Sequence, residues 1–193
     1  MHGRLTKYKG NLLSVGGRYL SNLDDFEDYS DIEEIGNQKT EILKIDEYKN
    51  FSWSVVEPDF KFTEGEIIYR HSLVTVESSD INHEYVLLIG GYDARYKPQQ
   101  NVFKFNGTWL LFGQLNKPRF DHNSIYWNGA IYVIGGSNRY LYDANGYDAN
   151  NKIEIWNLKS SPDKFKTIEN WPELFDWDRP TLFVIPDSFF PDY

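Results

Sequence analysis

The sequence predicts an all-β chain assembled from repeated four-stranded antiparallel units, and three observations predict it. A short apolar run ending in two glycines occurs three times, as Leu12-Leu-Ser-Val-Gly16-Gly17, Tyr85-Val-Leu-Leu-Ile-Gly90-Gly91 and Tyr132-Val-Ile-Gly135-Gly136. A strand that returns with the same stop marks a chain built by repetition. Asn-Gly, the strongest two-residue hairpin signal, stands between apolar runs at Asn106-Gly107 and again at Asn128-Gly129. Finally, 6 Trp, 14 Tyr and 13 Phe favour strands and flat packing surfaces over a helical bundle. No stretch reads as a helix of useful length.

The second and third units can be read strand by strand. In the second, Arg70-His71-Ser-Leu-Val-Thr-Val76 opens, Tyr85–Ile89 precedes the glycines, Asn101–Phe105 follows a loop, and Trp109–Phe112 closes the hairpin at Asn106-Gly107. The third repeats this order, with an opening run Pro118–Trp127, then Ala130–Ile134, then Lys152–Trp156 in polar/apolar alternation. Phe165–Ile168 serves as its fourth strand.

The first unit is less regular. Residues 1–10 carry no usable pattern, so its opening strand is not identifiable. Leu12–Val15 gives a strand that should stop at Gly16-Gly17. The acidic segment 21–34, bounded by Gly36-Asn37, reads as a solvated loop, because carboxylates at that density repel one another. Strands are then expected at Thr40–Ile45 and, as a cleaner alternation, at Phe51-Ser-Trp53-Ser-Val55.

Bulk properties narrow the function. With 193 residues and 40% hydrophobic content, the chain is long enough for one packed domain or a piece of a larger one. A formal net charge of −9 repels phosphate backbones and anionic membrane surfaces, so neither nucleic acid nor membrane is expected as a partner. The absence of cysteine excludes disulfides, thiolate metal sites and cysteine nucleophiles, and leaves the compartment open. No run approaches the ~18 apolar residues of a membrane span.

With those residues in view, the repeat resembles the kelch family. The resemblance rests on His71, Gly90-Gly91, Phe105 and Trp109 in the second unit. In the third it rests on Arg119 with His122, Gly135-Gly136 and Trp156, with Phe165 where a Trp is expected. The first unit retains Gly16-Gly17, Tyr48 and Trp53. Arg70 departs from the pattern by standing beside His71 instead of three residues before it. The resemblance implies a β-propeller of four-stranded blades, here about 8–60, about 67–115 and about 118–172. Asp178-Arg179-Pro180-Thr-Leu182 adds the start of a further blade at about 178–186. Three blades and one strand fall short of the four to eight that close a propeller. The expectation is therefore a partial propeller, completed by further chain or by self-association over its open faces.

Candidate functional residues follow. His71 and His122 occupy equivalent places, and a residue repeated with the unit serves the unit. His2 and His83 lack metal-ligand spacing, and Asp24–Glu34 lacks the calcium-loop pattern with its central glycine, so no metal is expected. No Gly-x-Ser-x-Gly elbow, Walker loop or His-Glu-x-x-His is present, so no catalytic residue and no cofactor are expected. Some kelch-like propellers are copper oxidases that use a cysteine-modified tyrosine, a route closed to a chain without cysteine. The loops after the glycines carry typical contact residues. Arg139, Tyr140, Tyr142 and Tyr147 in the third unit, with Tyr92, Arg95 and Tyr96 in the second, are the expected partner-binding surface. The expected function is a non-catalytic module that recognises a protein partner through these loops. The alternative is a propeller enzyme or carbohydrate-binding domain with a pocket near the axis. Kelch propellers often select substrates for ubiquitin ligases, but the BTB and BACK regions of those proteins are not found here.

Overall fold

Apolar runs separated by glycine turns form strands that pair strictly in chain order. The structure, a computed structural model, describes residues 3–20, 34–46, 48–57, 60–63, 68–95, 97–138, 152–159 and 165–168. Sheet 1 is β1 (Arg4–Tyr8), β2 (Asn11–Leu20), β3 (Glu34–Ile45) and β4 (Phe51–Val55). Sheet 2 is β5 (Ser72–Val76), β6 (Tyr85–Ile89), β7 (Asn101–Phe105) and β8 (Trp109–Gln114). Sheet 3 is β9 (Asn123–Trp127), β10 (Ala130–Ile134), β11 (Ile153–Asn157) and β12 (Lys166–Ile168). All pairings are antiparallel, and the only helical element among the described residues is the single 3-10 turn Ile81–His83.

Turn chemistry explains the hairpins and one element that the sequence hides. Asn128 and Gly129 both take left-handed φ, 48° and 81°, as a two-residue turn matched to strand twist requires. Lys9 and Gly10 do the same at 47° and 78°, and so join Arg4–Tyr8 to β2 as the first unit's opening strand. A lysine in that conformation leaves no recognisable turn signature.

The first double glycine behaves differently from its expected role as a stop. β2 runs on through Gly16-Gly17 to Leu20, with a register shift between Val15 and Gly17, and Gly36 and Asn37 pair with it inside β3. At φ 65° and 111° the glycines bulge the strand instead of ending it. The acidic segment is thus not bounded at Gly36-Asn37, and its residues 21–33 lie outside the described part.

The register makes the three sheets superimposable. The residue before each glycine pair, Val15, Ile89 or Ile134, stands opposite Arg4, Ser72 or Asn123 on the opening strand. One face of each sheet then carries equivalent residues: Leu12, Leu43 and Trp53 in sheet 1 match Val86, Phe105 and Trp109 in sheet 2. Ile131 and Trp156, with Phe165 against the Trp156 ring, complete the match in sheet 3. We call this the leading face, and its reverse the trailing face.

The core forms where a trailing face meets the next leading face. Tyr8, Leu13, Val15 and Ile42 of sheet 1 pack on Val86, Leu88, Phe105 and Trp109 of sheet 2. Val74, Leu87, Ile89 and Val102 of sheet 2 pack in turn on Ile131, Val133, Trp156 and Phe165 of sheet 3. The Trp109 indole donates to Thr40 Oγ1 at 2.7 Å, which satisfies its N–H inside the seam. The opening strands β1, β5 and β9 lie side by side. Sheet 2 is therefore covered on both faces, whereas the leading face of sheet 1 is not.

Candidate functional site

The double glycines sit where one sheet meets the opening of the next. Gly17 N–H donates to Ile68 C=O at 2.9 Å, and Gly91 N–H donates to Arg119 C=O at 2.8 Å. Ile68 and Arg119 each precede a buried histidine, His71 or His122, by three residues. A Cβ on Gly90 would stand 2.6 Å from the Arg119 carbonyl oxygen and 2.9 Å from His122 Cε1. Glycine is required there by close approach as well as by its φ of 57°.

Both histidines are sealed in these seams, at 0% and 1% exposure. Burial, aided by the Arg4 guanidinium and opposed by a backbone contact with Val15, pushes His71 down to about 3. Burial, then the Arg119 guanidinium, holds His122 well below the ordinary range, against a backbone contact with Ile89. Val15 and Ile89 are the equivalent residues before the glycines, so each histidine faces the same point of the preceding sheet. Both rings stay neutral.

His122 Nε2 lies 2.8 Å from Ser72 Oγ, and Ser124 Oγ donates to Ser72 Oγ at 2.8 Å. The pair has the composition of a nucleophile and its base. Ser72, His122 and Ser124 are nonetheless all buried, so the hydroxyl is closed to solvent. The carboxylate beside His122 is engaged elsewhere, since Asp121 Oδ2 accepts from Arg70 Nη1 at 2.7 Å. Arg70 and Asp121 occupy equivalent positions, one before each histidine, with φ of 55° and 54°. One unit supplies the cation and the next the anion, and Asp121 N–H donates to Arg70 C=O at 3.0 Å. The position immediately before His71 is thus used for a contact between units.

Arg119 binds sheet 3 internally. Its guanidinium donates to Glu154 Oε1 at 2.5 Å and to the Gly135 and Lys152 carbonyls at 3.1 Å each. Glu154 Oε2 accepts from Asn116 N–H at 2.6 Å, so both carboxylate oxygens are used. Burial lowers the Arg119 pKa while the charge of Glu154 supports the cation.

The loop after Gly90-Gly91 is the other chemically distinct region. Asp93 Oδ1 accepts from Arg95 N–H at 2.9 Å and Lys97 N–H at 2.8 Å, and Oδ2 accepts from Gln99 Nε2 at 3.3 Å. One buried carboxylate thus braces the loop from 93 to 99. Beside it opens a cleft of about 470 Å³ lined by Lys61, Phe62, Asp93, Lys97, Phe103 and Leu111, among others. Phe62, Phe103 and Leu111 are its apolar lining residues, and Lys61 and Lys97 come to it from two different segments of the chain.

Of the residues expected on the partner surface, Arg95 sits on this braced loop. Tyr92 does not present its ring: it is 3% exposed, stacked on Phe120 with centroids 3.9 Å apart, and near Tyr69. Tyr96, Arg139, Tyr140, Tyr142 and Tyr147 lie outside the described residues. Sequence reading missed Lys61, Phe62 and Lys97. Lys61 and Phe62 stand in a connector without repeat signature, and only the fold brings them to the loop.

No family model matches the chain, and no curated protein matches it. Among the described residues, no group of three or more His, Asp or Glu side chains is placed to hold a metal ion. No helix among them is long and apolar enough to cross a membrane.

Proposed function

We propose that the chain is a non-catalytic, kelch-type propeller module that binds a protein partner through the loops following its double glycines. The observation that carries this reading is the braced loop 93–99 with its adjoining cleft. A loop fixed by Asp93 loses little conformational freedom on binding, which favours recognition. Phe103 and Leu111 are among the apolar residues that line the cleft, together with Lys61 and Lys97. That chemistry suits a protruding partner side chain that ends in a carboxylate. The propeller part is supported by three sheets in identical register whose opening strands adjoin. The burial of Ser72 and His122 supports a structural use of the most enzyme-like pair.

The test is a pull-down comparing the wild-type chain with Arg95→Ala/Lys97→Ala and with a variant carrying alanine at Arg139, Tyr140, Tyr142 and Tyr147. Far-ultraviolet circular dichroism should match across the three proteins. A partner captured by wild type and lost, by tenfold or more, from a loop variant is the expected result. Equal capture of every partner by all three proteins refutes the loop assignment.

A further inference from the structure

The leading face of sheet 1 is built like a seam but has no sheet upon it among the described residues. Leu12, Leu43 and Trp53 occupy the places that Val86, Phe105 and Trp109 fill in sheet 2. Those three residues of sheet 2 are at most 5% exposed, whereas Trp53 is 55% exposed and Leu5, on the same face of β1, is also 55% exposed. Phe51 and Val55 extend the same face along β4, and all five residues of that strand are exposed. Exposed aromatic and aliphatic side chains gathered on one sheet face, here beside Lys7 and Glu41, mark an interface.

The repeat also specifies what fits there. In both seams of the molecule, a leading face receives a trailing face: that of sheet 1 on sheet 2, and that of sheet 2 on sheet 3. Two trailing faces are thereby occupied, which leaves the trailing face of sheet 3. There, Ile125, Tyr132 and Ile155 match Thr6, Leu13 and Ile42 of sheet 1 by register, and all three are partly exposed. Beside them, Trp127, which matches Tyr8, is 54% exposed. The exposure of Trp53 shows that the molecule does not bring its own two free faces together.

We propose that two copies of the chain associate head to tail, the leading face of sheet 1 in each copy seated on the trailing face of sheet 3 in the other. The contact is heterologous, and such contacts close into rings when the rotation allows. Three described sheets per copy give six in the pair, within the four to eight that close a propeller, and the strand expected at about 178–186 lies outside the described residues. The count of two rests on the propeller reading. The choice of faces rests on register alone, and the loop reading is not involved.

Sedimentation equilibrium of the wild-type chain is expected to give twice the single-chain mass. A single-chain mass at every concentration, or growth without limit, overturns the proposal. Trp53→Arg, on the exposed leading face, is expected to leave the circular dichroism unchanged and raise the dissociation constant at least tenfold. Tyr132→Lys, on the trailing face, is expected to do the same. Mixing the two variants restores one intact contact, from the leading face of the Tyr132 variant to the trailing face of the Trp53 variant. The mixture is therefore expected to associate more tightly than either variant alone. Absence of that rescue indicates a face-to-face contact between identical surfaces, and overturns the head-to-tail arrangement.

Discussion

Sheet 1 and sheet 2 share strand order and register yet differ in what their leading faces meet. In sheet 2, Phe105 and Trp109 are sealed against Leu13, Val15 and Tyr8, and the indole N–H has an acceptor in Thr40. In sheet 1, Leu43 and Trp53 stand in the same relation to each other and meet no following layer among the described residues. The backbone ladder is indifferent to this, because strand pairing is complete in both. A four-stranded antiparallel sheet thus fixes the place of its side chains, whereas their energetic worth comes from the next layer.

Breaking matched positions measures that worth. Trp109→Ala is expected to cost about 3–5 kcal/mol, the range for truncating a buried aromatic ring. Trp53→Ala, measured in dilute solution where copies stay apart, should lie within about 0.5 kcal/mol of wild type. Denaturant titration of both variants checks the contrast, and comparable losses would mean that Trp53 is covered in the single chain.

A second comparison uses the place held by Glu154 in sheet 3, Phe103 in sheet 2 and Glu41 in sheet 1. Glu154→Gln leaves the Arg119 cation buried without its anion, for an expected loss of about 3–5 kcal/mol. Glu41→Gln, on the open face, should stay within about 0.5 kcal/mol by the same titration. The Phe103 at this place in sheet 2 suggests a milder replacement. Joint change of Arg119 and Glu154 to apolar residues should recover much of the single-variant loss.

The smallest effect is graded by pH. His71 has an ordinary value of 6.5 and sits at about 3 when folded, so the unfolded chain takes up a proton that the folded chain refuses. Its contribution to stability is whole above pH 6.5 and is lost progressively as pH falls from there toward 3. The slope approaches about 1.4 kcal/mol per pH unit for each such histidine. His71→Gln should be less stable at neutral pH but show a shallower decline between pH 6 and pH 4 in thermal melts, relative to wild type. Parallel declines would place the acid sensitivity in the carboxylates instead.

Much of the fold was legible in the sequence because its signals are local. The glycine pairs at 90–91 and 135–136, the turn at Asn128-Gly129 and the alternation of Asn101–Phe105 each act within a few residues, and those elements fall where the pattern puts them. The strand Arg4–Tyr8 was hidden because its turn begins with lysine, a residue that gives no hint of left-handed φ. Phe51–Val55 alternates like a half-buried strand, but periodicity identifies a face and not whether a neighbour covers it. The site was less legible. Tyr92 has the chemistry of a contact residue, and its stacking on Phe120 depends on a residue 28 positions later. Lys61 joins Lys97 only through the placement of the connector before sheet 2.

The glycine amides carry a consequence for how the chain is made. Sheet 1 has all four strands once Val55 has left the ribosome, but the acceptor for its Gly17 amide is Ile68. Sheet 2 likewise ends at Gln114, and the partner of its Gly91 amide is Arg119. Each unit finishes its own inventory of hydrogen bonds only when the first residues of its successor emerge. Folding during synthesis should therefore advance in steps that overrun sheet 1 by 13 residues (68 minus 55) and sheet 2 by 5 (119 minus 114), and a ribosome stalled at either sheet boundary would hold a unit still missing a bond.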